Sequence, residues 1–192
     1  METEPVLVTR KVVNVFDQLG IPYLIGGSFA SAVHGVVRAT MDADIVAEIK
    51  PAQVVALVGL LEHEFYISKD MVLDAIRNNS SFNIIHLETM FKVDVFILKQ
   101  RPFDRNQMQR RVAQTFGESP GEPVFFCTAE DIILAKLEWF RAGGEVSERQ
   151  WRDIIGVMDL QGDRLDMDYL RKWALSLGVD DLLTKAINQL AK

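Results

Sequence analysis

Two aspartates spaced by one residue, Asp42 and Asp44, follow a Gly26-Gly27-Ser28 turn, and a third, Asp94, lies in an apolar run far along the chain. Asp44 to Ile49 alternates polar and apolar residues as a half-buried strand does. Carried back to Asp42, that alternation puts Asp42, Asp44, Val46 and Glu48 on one face and Ala43, Ile45, Ala47 and Ile49 on the other. The second face is apolar and turns to the core. The first presents Asp42 and Asp44 together, with Cα atoms about 6.5–7 Å apart. Glu48 lies about 13 Å beyond Asp44 and falls outside one site.

Phe91, Val93, Val95 and Ile97 alternate with Lys92, Asp94 and Phe96, so Asp94 is an acid amid apolar neighbours. That placement is costly unless the carboxylate is paired or bound to metal. If this strand lies beside the Asp44 strand, three carboxylates converge. Like charges that close raise one another's pKa and oppose folding. A divalent cation removes the conflict, and oxygen-only ligands favour Mg²⁺ or Mn²⁺ over zinc. Gly26 and Gly27 let backbone N–H groups approach an anion, with the positive end of the following helix behind them. Ser28 can donate to a phosphate oxygen. Triphosphate on the turn and metal on the acids is a geometry for phosphoryl-type transfer.

Each piece has a plainer reading. A lone Gly-Gly-Ser is most often just a turn, a lone Asp-x-Asp a solvated strand edge, and an acid in an apolar strand an arginine's partner. In this order and spacing the three together favour function.

The elements that must position these residues follow from the pattern. Val8, Val12, Val15, Phe16 and Leu19 line one face of a helix from Val6 to Leu19, ended by Gly20 and Pro22. Tyr23 to Ile25 is a short strand, and Ser28 to Val33 a small-residue helix. Pro51 to Leu61 and Asp70 to Arg77 read as helices, with a strand at Phe65 to Ile67. Ser81 to Leu87 and Phe91 to Leu98 form a hairpin around Glu88-Thr89. Arg105 to Arg110 is helical, and Val112 to Phe116 and Val124 to Phe126 are short strands. From Thr128 the chain reads as all helix. Thr128 with Asp131, and Ser147 with Gln150, look like capping boxes opening helices to about Arg141 and Leu160. Two more helices cover about 168–177 and 180–191. The three tryptophans sit at helical spacing among aliphatic neighbours and read as core.

The 192 residues are 48% hydrophobic and 25% charged, a globular composition with a net charge of −6. A protein binding nucleic acid over its whole surface is usually basic, so RNA is not the favoured partner. One basic stretch (Lys99, Arg101, Arg105, Arg110, Arg111) is the place for any such contact. The single cysteine, Cys127, excludes an intramolecular disulfide and a cysteine-based zinc site. With no signal pattern in METEPVLVTRK and no run of ~20 apolar residues, the expectation is a cytoplasmic protein without membrane contact.

The set Gly26-Gly27-Ser28, Asp42-x-Asp44 and Asp94 resembles the nucleotidyltransferase superfold shared by polymerase-beta-like enzymes. Arg38-Ala-Thr-Met-Asp-Ala-Asp44 is similar to the version in bacterial abortive-infection type IV toxin-like and lincosamide nucleotidyltransferases. Glu130-Asp-Ile-Ile-Leu-Ala-Lys136 is similar to that group's Lys-bearing helix, and Arg149-Gln-Trp-Arg-Asp153 to its Asp-bearing helix. The spacer from Gly27 to Asp42 is longer than in minimal nucleotidyltransferases. The resemblance covers roughly residues 20 to 160.

It implies an α+β fold, a mixed β-sheet with flanking helices; the shift to all helix after Cys127 divides the chain into a sheet domain over 1–127 and a C-terminal helical segment over 128–192 expected to pack on it. It implies transfer of a nucleoside monophosphate from a nucleoside triphosphate, ATP included, to a hydroxyl acceptor that is a small molecule, a tRNA or a protein. Mg²⁺ or Mn²⁺ would be held by Asp42 and Asp44, with Asp94 activating the acceptor or completing a second metal site. Gly26, Gly27, Ser28, Arg38, Lys136 and Asp153 would contact nucleotide. The group's roles in antibiotic resistance and toxin–antitoxin pairs, the latter with a protein partner, come with it. Read from the residues alone, Lys136 interrupts the stripe Ile132, Ile133, Leu137, Phe140 and either snorkels to solvent or meets phosphate. Asp153 either pairs with Arg149 or Arg152 or turns toward Lys136, and Arg38 either makes a local ion pair or neutralises phosphate. The alternative function is a silent scaffold of the same fold that binds a nucleotide or protein partner without turnover. The presence of all three acids argues against it.

Overall fold

The computed structural model describes residues 3–34, 42–116 and 123–191. Arg38 lies outside them. Within them the chain forms α1 (Glu4–Gln18), β1 (Tyr23–Ile25), α2 (Gly27–Val33), β2 (Asp42–Ala47), α3 (Val54–Leu61), β3 (Phe65–Tyr66), α4 (Lys69–Asn78), β4 (Ser81–His86), β5 (Lys92–Ile97), α5 (Pro102–Arg110), β6 (Val112–Gln114) and β7 (Val124–Phe126). Four helices follow: α6 (Ala129–Ala142), α7 (Glu148–Gln161), α8 (Met167–Leu177) and α9 (Asp180–Leu190). This is the expected α+β class.

The strands make one mixed sheet in the order β3-β4-β5-β2-β1-β7-β6. β2 pairs parallel with β5, and β1 parallel with β7. The remaining neighbours are antiparallel. One face of the central strands is dry: Ala43, Ile45 and Ala47 of β2 and Val93 and Val95 of β5 are buried. Helices α1, α3 and α4 pack against one another and onto β2, β4 and β5. They add Val12, Phe16, Leu57, Leu61 and Val72 to that core. Full burial of each such side chain stabilises by roughly 1.5–3 kcal/mol. It also fixes the register, because a slip of one residue would carry the acids into the core.

Local differences from the sequence expectations have local causes. The helix expected from Pro51 opens as a 3₁₀ turn over Pro51–Gln53, with the Lys50 N–H donating to Gln53 Oε1 at 2.9 Å. Helix α5 begins at Pro102, not Arg105, since Pro suits the first helical position. β6 ends at Gln114, and Phe116 leaves the strand to set its ring edge-on to Phe29 and Phe126. β2 ends at Ala47; the Glu48 N–H bonds to the Pro22 carbonyl at 2.9 Å as the chain leaves the sheet.

The contacts divide the chain into two compact units, Met1–Phe29 with Ala39–Cys127, and Ala30–Arg38 with Thr128–Lys192. In the second unit α6 packs on α7 and α8, and α9 on α7 and α8. Ile133, Leu134, Leu137, Ile154, Val157 and Leu170 are buried there. The capping hydroxyls act as expected: Thr128 Oγ1 accepts from the Asp131 N–H and Ser147 Oγ from the Gln150 N–H. Gln161 Nε2 donates to the His34 carbonyl at 2.8 Å, tying the chain just after α2 to the end of α7. Of the three tryptophans expected in the core, Trp173 is buried but Trp139 is 55% exposed. Phe140, the next residue of α6, takes the inward position. Among the described residues no helix is long and apolar enough to cross a membrane.

Candidate active site

The glycine turn and the acid strand are one construction. The Gly26 N–H donates to the Asp44 carbonyl at 2.9 Å, extending the β1–β2 ladder by one bond past Ile25. Gly27 opens α2 with φ +54°, a left-handed conformation that favours glycine. A Cβ built on Gly27 would overlap Asp44 Oδ2 and lie 2.6 Å from Asp44 Cγ. The turn must therefore carry hydrogen at that position, or the carboxylate must move. Ser28 follows and is buried.

The parallel register sets Asp44 directly beside Asp94, and Asp42 beside Lys92. Neighbouring strands are about 4.8 Å apart, so Asp44 and Asp94 are cross-strand neighbours on one face, with Asp42 two residues along. All three are half-buried, whereas the residues between them are buried. The three acids thus share the solvent-reachable face of the central strands.

Two further residues join them. Asn83 of β4 is the cross-strand partner of Asp94, which makes a row Asn83, Asp94, Asp44 across three strands. Lys92 stands two residues before Asp94 and on its face, and its Nζ is 2.7 Å from Asp94 Oδ2. The hydrogen bond to Asp94 holds the Lys92 ammonium above the usual lysine range. Burial, the next largest influence, opposes it, and the charges of Asp94, Asp42 and Asp44 act with the hydrogen bond. The sequence pattern already placed Lys92 and Asp94 two apart on one strand, but what the lysine faces depends on the parallel pairing. Asn83 could be found by folding the hairpin about Glu88-Thr89, which sets it opposite Asp94.

Three carboxylates are the donor chemistry of a hard cation such as Mg²⁺ or Mn²⁺. As the side chains stand, no group of three potential ligands is drawn together as an ion's shell would require among the described residues. Asp94 instead holds Lys92. The backbone register fits a metal carried by Asp42 and Asp44; a third ligand requires Asp94 to leave its ammonium.

Lys136 and Asp153 lie in the helical unit. Lys136 Nζ donates to Asp153 Oδ2 at 2.8 Å, and the two side chains are only 10% and 4% exposed. Asp153 thus takes Lys136 as its partner, and the lysine does not snorkel to solvent. At the start of α6 Glu130 accepts from the Asp166 N–H and Asp131 from the Tyr169 hydroxyl, at 3.1 and 2.6 Å. In the basic stretch, Arg101 is held by both oxygens of Asp104, and Arg111 lies over the Phe125 ring at 4.7 Å.

This architecture is the nucleotidyltransferase fold. The chain is similar to the crystal structure of ANT(2")-Ia in complex with adenylyl-2"-tobramycin, with TM-score 0.61, 16% identity, and 91% of this chain and 98% of that chain covered. It is similar to the solution structure of the antibiotic-resistance factor ANT(2'')-Ia, with TM-score 0.59, 16% identity, and 92% and 94% covered. An antigenic nucleotidyltransferase-like protein from Paracoccidioides brasiliensis matches with TM-score 0.57, 16% identity, and 98% and 94% covered. No protein-family model matches the chain, and no curated protein sequence matches it.

Proposed function

We propose that the protein is a nucleotidyltransferase that moves a nucleoside monophosphate from a nucleoside triphosphate to a hydroxyl acceptor, using Mg²⁺ or Mn²⁺. The observation that carries the reading is the register: Asp44 and Asp94 are paired across β2 and β5, with Asp42 on the same face. The close packing of Gly27 against the Asp44 carboxylate supports reading the glycine turn as the phosphate-receiving element beside the acids.

In this reading the acceptor oxygen bonds to the α-phosphorus as that phosphorus releases pyrophosphate. The hydroxyl proton passes to Asp94. Asp42 and Asp44, joined by the second oxygen of Asp94 once that carboxylate leaves Lys92, would hold the cation, which when bound neutralises phosphate charge and orients the reacting oxygens. The turn at Gly26, Gly27 and Ser28 receives the phosphates. Assignment of Arg38, Lys136 and Asp153 to the nucleotide rests on the sequence resemblance. A small-molecule hydroxyl is the favoured acceptor. One similar structure holds tobramycin adenylylated at its 2" position, and a net charge of −6 disfavours a nucleic-acid backbone. An antibiotic-resistance role would follow from such an acceptor.

A second reading, a scaffold of the same fold without turnover, is favoured by one observation. Asp94 is occupied by Lys92, and among the described residues no three-ligand group stands ready. The test is incubation with each α-labelled nucleoside triphosphate, Mg²⁺ and a cell extract, beside Asp44→Asn, followed by separation of RNA, protein and small-molecule fractions. The proposal expects label in the small-molecule fraction that is absent with the variant. Nucleotide binding with no labelled fraction and no pyrophosphate would give the scaffold instead.

A further inference from the structure

The residue that the acid pattern does not explain is Lys92. It is the cross-strand partner of Asp42, lies on the face of Asp44 and Asp94, and reaches Asp94 Oδ2 at 2.7 Å. Its ammonium is bonded to Asp94 and feels the charges of Asp42 and Asp44 as well. Its side chain is 40% exposed, while that of Asp94 is 15% exposed. The lysine thus has room to swing into solvent, and the acid has little. Without that ammonium Asp94 would lose its ion-pair partner beside the like charge of Asp44 in the cation-free protein.

We propose that Lys92 is a positioning residue that serves as a built-in counter-ion, holding Asp94 in the cation-free protein and competing with a divalent cation for that carboxylate. The inference deepens the carboxylate reading above and rests on it. A third carboxylate ligand requires Asp94 to exchange the ammonium for the ion, so the lysine weakens cation affinity and modestly stabilises the empty site. When it is displaced, the ammonium stays on the face where the triphosphate is proposed to bind, four methylenes from its backbone. It can then donate to a phosphate oxygen as a point charge.

The test is a Mn²⁺ titration followed by the electron paramagnetic resonance of the free ion, on the whole chain without nucleotide. The proteins compared are the wild type, Lys92→Met, Lys92→Gln and a charge-matched control at exposed Lys99, Lys99→Met. Removing one positive charge a few ångströms from the ion should tighten Mn²⁺ binding by about tenfold in both Lys92 variants and leave the Lys99 control unchanged. Thermal unfolding gives a second readout. The Lys92 variants should melt lower without Mn²⁺, and should gain more degrees than the wild type when saturated. Lys92→Gln keeps a donor of similar reach, so a folded protein remains to be measured if Lys92→Met fails. Equal Mn²⁺ affinity in the wild type and both Lys92 variants would overturn the counter-ion role and leave the carboxylate site standing. Equal tightening in the Lys99 control would also overturn it, as an effect of net charge. No Mn²⁺ binding to any of the proteins would overturn both the inference and the metal reading beneath it.

Discussion

Two Lys–Asp pairs among the described residues are nearly equal in length and differ in their surroundings. Lys92 and Asp94 meet at 2.7 Å on the open face of the sheet, with side chains 40% and 15% exposed. Lys136 and Asp153 meet at 2.8 Å between α6 and α7, with side chains 10% and 4% exposed. Geometry alone would call them equivalent. Solvent makes them different. Water and ions can replace either partner of the first pair, so its strength is conditional on what else reaches that face. Neither partner of the second can be stranded without leaving a buried charge. The first pair suits a site that must change hands; the second suits a fixed orientation of one ammonium.

That contrast is most easily broken at the buried pair. Lys136→Met should lower the free energy of unfolding by about 3–5 kcal/mol, read from denaturant melts. Adding Asp153→Leu should recover most of that loss, because the lone charge is gone. If nucleotide affinity fails to return with stability, Lys136 serves the nucleotide as well as the fold. On the sheet side, Asp44→Asn should cost at least about 10²-fold in transfer rate, the scale of removing one preorganised electrostatic group. Gly27→Ala should cost at least about 1–2 kcal/mol for the left-handed backbone. It should also displace the Asp44 carboxylate, visible as weakened Mn²⁺ binding. Lys92→Met should change unfolding free energy by only about 1 kcal/mol or less, as exposed pairs do.

The smallest effect concerns Tyr23. Its hydroxyl donates to Asp17 at 3.1 Å, and burial, with the Asp17 charge and hydrogen bond, pushes its pKa well above the usual tyrosine value. The unfolded chain ionises near pH 10, and the folded one only at higher pH. Stability from the neutral hydroxyl is complete below pH 10 and is lost as pH climbs beyond it. Tyr23→Phe should therefore flatten the decline in melting temperature above pH 10.

The sequence made the strands legible wherever alternation was strict. Asp42 to Ala47 and Lys92 to Ile97 read directly, because a polar residue at every second position admits one orientation on a buried sheet. The hairpin turn at Glu88-Thr89 likewise follows from two strands meeting at a polar dipeptide. What the sequence withheld was adjacency between distant strands. Nothing local in β2 says that β5 lies parallel beside it, so the convergence of the acids could only be conditional. For the same reason Lys92 looked like an ordinary outward residue of its strand: its meaning lies in Asp42 and Asp44, some fifty residues earlier. Lys136 looked ambiguous because a lysine in an apolar stripe has two resolutions, and only tertiary packing supplies Asp153. Trp139 misled because its apolar neighbours mark a helix face, and the ring sits one step around from it.

The central claim is that Asp42, Asp44 and Asp94 are the ligands of one cation site. Its most direct test is diffraction from crystals of the whole chain grown with Mn²⁺ and a non-hydrolysable nucleoside triphosphate, recorded for anomalous signal. The account predicts a Mn²⁺ peak within about 2–2.5 Å of carboxylate oxygens of Asp42 and Asp44, with Asp94 released from Lys92 and turned toward it. A nucleotide bound with no anomalous peak at these acids, and Lys92 still closed on Asp94, would contradict it.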